Sequence, residues 1–190
     1  MKVIAFNGSP RKKGNTARLI AEVFKELEKE GIDTELVNLP SGPVQGCVSC
    51  MKCFQAKNDK CTLSGDSLNE YIAKMAAADG IILASPTYFA DLTPQMKALI
   101  DRAGLVGIAN GGLFARKAGA AVVAVRRGGA IHTFDSLNHF FTISEMLVVG
   151  SNYWNVGIGL QEGDVENDDE GMETMRKLGR NMAWLLKKLA

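Results

Sequence analysis

Short apolar runs alternate with amphipathic stretches along this chain, and that alternation restricts its fold more than any other feature. Val3–Phe6 and Ile81–Ala84 are apolar on both faces, as strands buried within a parallel sheet must be. Ala120–Val125 and Leu147–Val149 read the same way, while Ile32–Leu39 alternates like a strand nearer an edge. Between these runs the period changes to that of a helix. Leu19, Ile20, Val23, Phe24 and Leu27 recur on one stripe after Thr16, and Gly31 supplies a stop. Asp66 or Ser67 can cap a helix carrying Leu68, Tyr71, Ile72 and Met75, with Ser67 and Glu70 spaced as a capping box. Thr93 and Pro94 look like N-cap and first residue of a helix reaching Arg102. Ser136–Met146 and a segment from about Asp169 complete the helices. The pattern predicts one α/β domain over residues 1–190. A five-stranded parallel sheet with helices on both faces would make three layers.

Composition removes several classes of function. With 22 Lys and Arg against 21 Asp and Glu, the net charge is +1, which offers no polyanion-binding or polybasic membrane surface. The longest apolar run, Ala118–Val125, has the length of a buried strand rather than a membrane span. The first residues turn polar at Asn7, too early for a secretory segment. No nucleic-acid or membrane partner is expected, and the chain reads as cytoplasmic.

Ligands of open α/β sheets sit beyond the C-terminal ends of the strands, where strand order reverses. Three such loops carry unusual chemistry. The first runs from Asn7 to Thr16 and holds Gly8, Ser9, Arg11, Lys12, Lys13, Gly14 and Asn15. Small residues let backbone amides approach an anion, and the following helix start adds positive potential. Gly8 and Gly14 are one residue too far apart for a Walker A loop, and Asn15 stands where its lysine belongs. No dinucleotide glycine fingerprint is present. A single terminal phosphate, as in FMN, suits this loop, although an ordinary turn with a solvated basic tip has the same composition. The second loop, Ser85–Pro94, contains Pro86, Thr87, Tyr88 and Phe89, a rigid and partly aromatic wall suited to a flat ring. Either aromatic could instead pack beneath the next helix. The third, Arg126–His132, combines cations with Gly128 and Gly129, which permit close backbone approach. Arg126 is placed to meet negative charge on a reduced ring or on a nucleotide phosphate. His132 could supply a proton or simply be an exposed histidine.

All four cysteines, Cys47, Cys50, Cys53 and Cys61, fall within 15 residues of a loop spanning 40–65. Such a cluster joins no distant segments, so it is a poor disulfide framework and a better set of metal ligands.

Taken together, Gly8-Ser9-Pro10-Arg11 with Gly14-Asn15-Thr16, Ser85-Pro86-Thr87-Tyr88-Phe89 and the four-cysteine loop resemble the iron–sulfur flavoproteins and related NAD(P)H-dependent FMN reductases. The resemblance extends over nearly the whole chain and implies a flavodoxin-like fold. It further implies that Ser9, Arg11, Asn15 and Thr16 hold the FMN phosphate. Pro86, Thr87, Tyr88 and Phe89 would then line the ribityl chain and ring, with help from a neighbouring subunit. Arg126-Arg127 depart from the Gly or Ser of many relatives. The cysteine spacing of two, two and seven intervening residues matches the compact motif for a 4Fe-4S cluster. Zinc, which favours two separated pairs, and unligated thiols are the alternatives.

The implied activity is that of an FMN-dependent oxidoreductase. It would draw on NAD(P)H or a reduced ferredoxin and deliver electrons to a flavin, a quinone or another small oxidant. A flavodoxin-like carrier or a flavin-binding thiol sensor would need the same cofactor without turnover. A homodimer or homotetramer is expected, with Tyr153 and Trp154 as interface aromatics and Gly104–Gly112 as a flexible cover.

Overall fold

Strand β1 (Lys2–Asn7) is buried from Val3 onward because both its faces meet helices. Residues 1–190 are all described by the structure, a computed structural model. β1 is flanked by β2 (Asp33–Asn38) and β3 (Gly80–Pro86), and β3 by β4 (Ala118–Val125), all parallel. The order β2-β1-β3-β4-β5 reverses direction between β1 and β3. Successive residues feed opposite layers: Ile4, Phe6, Ile81 and Leu83 enter one core, and Val3, Ala5, Ile82 and Ala84 the other. β2, the sheet edge, is only partly buried, as its alternation predicts.

Helices α1 (Asn15–Lys29) and α6 (Asp169–Leu189) cover one face, with Leu19, Val23, Met175 and Leu178 between them and the sheet. The short α2 (Lys52–Ala56), α3 (Leu68–Ala77), α4 (Pro94–Ala109) and α5 (Ala130–Ile143) lie on the other. The all-buried β4, rich in Ala and Gly, lets helices approach closely. A Cβ on Gly119 would stand 2.6 Å from the Phe141 ring.

Several elements depart from the sequence reading. The expected fifth strand is split into β5 (Leu147–Val148), paired with the start of β4, and β6 (Val156–Ile158), paired with its end. Between them the chain leaves the ladder, and the Asn155 side-chain amide donates to the Ala121 carbonyl in its place (3.0 Å). This interruption breaks the apolar run, which is why β6 is not legible beside Leu147–Val149. Helix α4 continues past Arg102 to Ala109, so Gly104 and Gly107 are helical and pack near Phe140 and Phe114. The flexible cover expected there does not exist. Helix α5 starts six residues before Ser136, which absorbs His132 into its first turns. Of the two caps expected for α3, Asp66 is the one engaged, its Oδ1 accepting from the Leu68 N–H (3.1 Å), and the Ser67–Glu70 box does not form.

Candidate active site

The reversal of strand order brings the ends of β1, β3 and β4 to one side of the sheet, and an open cleft forms there. Ser9, Arg11, Asn15, Thr16, Pro86, Thr87, Tyr88 and Arg126 all line it, joined by Ala124, Val125, Gly159 and Leu160.

The first loop is built around backbone that bonds inward. The Gly8 N–H donates to the Ala84 carbonyl (2.8 Å), and Thr93 Oγ1 donates to the Gly8 carbonyl (2.9 Å). A Cβ on Gly8 would lie 2.9 Å from that same Thr93 oxygen, so only glycine permits the lacing. Thr93 is also the expected N-cap of α4, accepting from the Met96 N–H (3.4 Å). One buried hydroxyl therefore fixes the first loop against the second. Asn7 Oδ1 accepts from the Ser9 N–H (3.0 Å), and Ser9 Oγ accepts from the Arg11 N–H (3.2 Å). Helix α1 follows Gly14, which as N-cap offers no side chain, and has no acid in its first turn. Its first backbone N–H groups have no acceptor in the chain. Arg11 and the unpaired Thr16 hydroxyl border the same cleft, so donors of the kind an anion requires gather there.

Asn15 does something different. Its Nδ2 donates to the Gln161 carbonyl (2.9 Å) and its Oδ1 accepts from the Gly163 N–H (2.9 Å). Both ends of the amide thus hold the segment after β6, and a Cβ on Gly159 would collide with it at 2.7 Å. Asp164 Oδ2 stiffens that segment by accepting from the N–H groups of Leu160 and Gln161 (3.1 and 2.6 Å). Gly159 and Leu160 are the wall that sequence reasoning misses. The only signal for it is the run Val156–Gly159, concealed by the split strand.

In the second loop Tyr88 and Asp91 exchange backbone bonds (2.7 and 3.1 Å) around Phe89 and Ala90, both left-handed (φ 44° and 68°). Two positive φ values define a tight turn that normally carries Asn or Gly. Here the turn thrusts Phe89 wholly into solvent, outside the cleft lining. Gly128 and Gly129 also stay outside it. Gly129 (φ 89°) passes close to Ala90, where an added Cβ would stand 3.3 Å from the Ala90 Cα, so it supports the turn. His132 Nε2 stands 3.6 Å from Asp91 Oδ2 at the same turn.

A second, smaller and mostly apolar cavity is lined by all four cysteines together with Val48, Met51, Leu105, Val106 and Arg102. The segment carrying them is contorted: Ser49, Met51, Lys57 and Asp59 all have positive φ without being glycine. Such conformations cost about 1–3 kcal/mol each and persist where a site requires them. Cys53 is buried, and burial pushes its thiol above the usual range. Cys50 is exposed, and hydrogen bonds from the Lys52 backbone and the Thr62 hydroxyl lower its thiol. The Ser49 N–H donates to Cys47 Sγ (3.4 Å). No three Cys, His, Asp or Glu side chains converge tightly enough to hold one metal ion.

The chain is similar to known flavoproteins over nearly its whole length. Residues 1–161 match the family of NADPH-dependent FMN reductases. The chain is 40% identical to an iron–sulfur flavoprotein of Methanocaldococcus jannaschii, over 98% of each chain. It is 34% identical to an iron–sulfur flavoprotein of Methanosarcina thermophila, over 98% of this chain and 96% of that one. A flavodoxin, WrbA-like protein from Agrobacterium tumefaciens superposes with a TM-score of 0.69 at 18% identity, covering 98% of this chain and 97% of its own. That structure establishes the flavodoxin-like fold.

Proposed function

Because the chain belongs to the NADPH-dependent FMN reductase family, we propose that it passes electrons from NAD(P)H or a reduced ferredoxin, through FMN and a 4Fe-4S cluster, to a flavin, quinone or other small oxidant. The observation that carries the reading is the convergence of an uncapped helix start, Arg11, Thr16, Pro86–Tyr88 and Arg126 on one cleft. FMN, when bound, supplies the exchange between two-electron and one-electron chemistry. The residues around it hold and orient. The first turn of α1, with Ser9, Arg11 and Thr16, would receive the phosphate. Pro86, Thr87 and Tyr88 would fix the ribityl chain and ring edge, and Arg126 would favour negative charge on the ring. Asn15 acts at one remove, by holding the Gly159–Leu160 wall.

The cluster assignment is supported by four cysteines that line a single mostly apolar cavity in a strained loop. A cubane holds its thiolates at the corners of a body wider than one ion, which suits thiols too far apart for a single metal. The relatives named above are iron–sulfur flavoproteins. A thiol switch is the second reading, favoured by the exposed, acidified Cys50. Visible spectra, iron and labile sulfide of protein purified without oxygen test the assignment. Two flavin bands, a broad added shoulder and NAD(P)H-dependent quinone reduction are expected. Flavin bands with no iron would leave the thiol switch, and FAD in place of FMN would overturn the cofactor.

A further inference from the structure

Arg102 is the most deeply buried charge in the protein, its side chain fully covered, and none of the FMN cleft uses it. It rises from α4 into the wall of the cysteine cavity. Its Nη1 donates to the Gln45 carbonyl (3.2 Å) and to Asp66 Oδ2 (2.5 Å), and its Nη2 donates to the Leu63 carbonyl (3.0 Å). Gln45 lies two residues before Cys47, and Leu63 two after Cys61. The guanidinium therefore clamps both ends of the cysteine segment to the body of the fold. Its Nε, also buried, has no acceptor in the protein.

A buried donor without an acceptor is costly, and a buried cation is more so. Asp66 balances the charge, yet nothing satisfies Nε. Four thiolates with the cluster they would hold would carry net negative charge in the same small cavity that Arg102 lines. We propose that Arg102 is a positioning and tuning residue for the cluster: it closes the cysteine loop, and its charge and free Nε–H stabilise the reduced, more negative state. This rests on the cluster reading above. The added electron increases the negative charge of the cluster. A fixed cation beside it must raise the reduction potential, and the Asp66 carboxylate must lower it.

The test is a redox titration of the cluster, followed by electron paramagnetic resonance on anaerobically reconstituted, FMN-loaded protein. Parent, Arg102→Gln, Arg102→Lys and Asp66→Asn are compared. The Gln variant should be about tenfold harder to reduce at a fixed potential, equivalent to about 59 mV downward for one electron. The Lys variant, which keeps the charge and loses the forked donors, should fall between it and the parent. Asp66→Asn should shift in the opposite direction. A packing role alone would predict no such opposed shifts. Should Arg102→Gln take up no iron, Asp66→Asn carries the test, because it leaves the arginine in place. Potentials equal to the parent's in an iron-loaded Asp66→Asn, or shifts of one sign in both variants, overturn the role of Arg102 and leave the cluster standing. A parent without iron or sulfide removes the cluster reading itself.

Discussion

Thr16 and Asn15 are neighbours in a loop whose composition announces an anion, yet they contribute in different ways. Thr16 borders the cleft with its hydroxyl unpaired, whereas both ends of the Asn15 amide are occupied by Gln161 and Gly163. Removing a hydrogen bond to a charged phosphate costs about 1.5–3 kcal/mol. Thr16→Ala should therefore weaken FMN binding by about 10- to 150-fold, measured by quenching of flavin fluorescence in titrations. Asn15→Ala should weaken it also, but together with faster amide exchange over residues 159–163. Unchanged exchange there would show that the amide meets the phosphate directly. The residue types of this loop are legible in the sequence, because small, hydroxylated and cationic side chains at a strand end have few other uses. Their partners are not legible there, since the contact crosses 146 residues of sequence to the Gln161 carbonyl. Ala90 tests the neighbouring loop. A left-handed alanine costs about 1–2 kcal/mol, so Ala90→Gly should raise Tm by about 2–8 °C. A fall in Tm would mean that the turn is held by contacts its methyl makes.

Helices α1 and α6 meet along a seam where charge is buried. Burial opposes ionisation of Glu22, but hydrogen bonds from Lys25 (2.7 Å) and Arg176 (2.8 Å) more than reverse this, holding its carboxyl below the usual range. The folded state thus prefers the carboxylate more strongly than the unfolded chain does. Its contribution is fully present above the unfolded value of about 4.3 and is lost as pH falls through the lower folded value. Glu22→Gln should cost about 1 kcal/mol at pH 7, and the deficit should shrink as pH falls below the unfolded value and on toward the lower folded one. Urea midpoints by circular dichroism at pH 7, 5 and 3.5 read this, and a deficit constant over the series would refute it. The helices carrying this seam are plain from periodicity, because one face of each is apolar over several turns. The limits of α4 and α5 are not. Glycines at 104 and 107 resemble a break, but the Phe140 and Phe114 rings pack against helical backbone there.

The whole molecule presents a cleft that is open on one side and an apolar surface that no part of the chain covers. Sheet order and layer composition are legible in the sequence because a buried parallel strand must be apolar on both faces. The divided edge strand is not, since it depends on Asn155 replacing a ladder bond. That division leaves Tyr153 and Trp154 in edge-to-face contact (4.8 Å between centroids) and about half exposed. Ile158 and Leu160 follow them, and Phe89 stands wholly exposed beside Tyr88 of the cleft. Aromatics left out in this way are characteristic of interface cores. A second subunit that buries Phe89 and Leu160 would also close the cleft over the flavin ring. Association and FMN binding should then be linked, each strengthening the other by the same factor. Sedimentation at micromolar protein should show a dimer or a dimer of dimers, tighter with FMN than without. Phe89→Asp should weaken both self-association and FMN affinity, while Trp184→Asp, at an exposed site on α6, should change neither. A monomer that carries a full complement of FMN at that concentration would show that one chain completes the site alone.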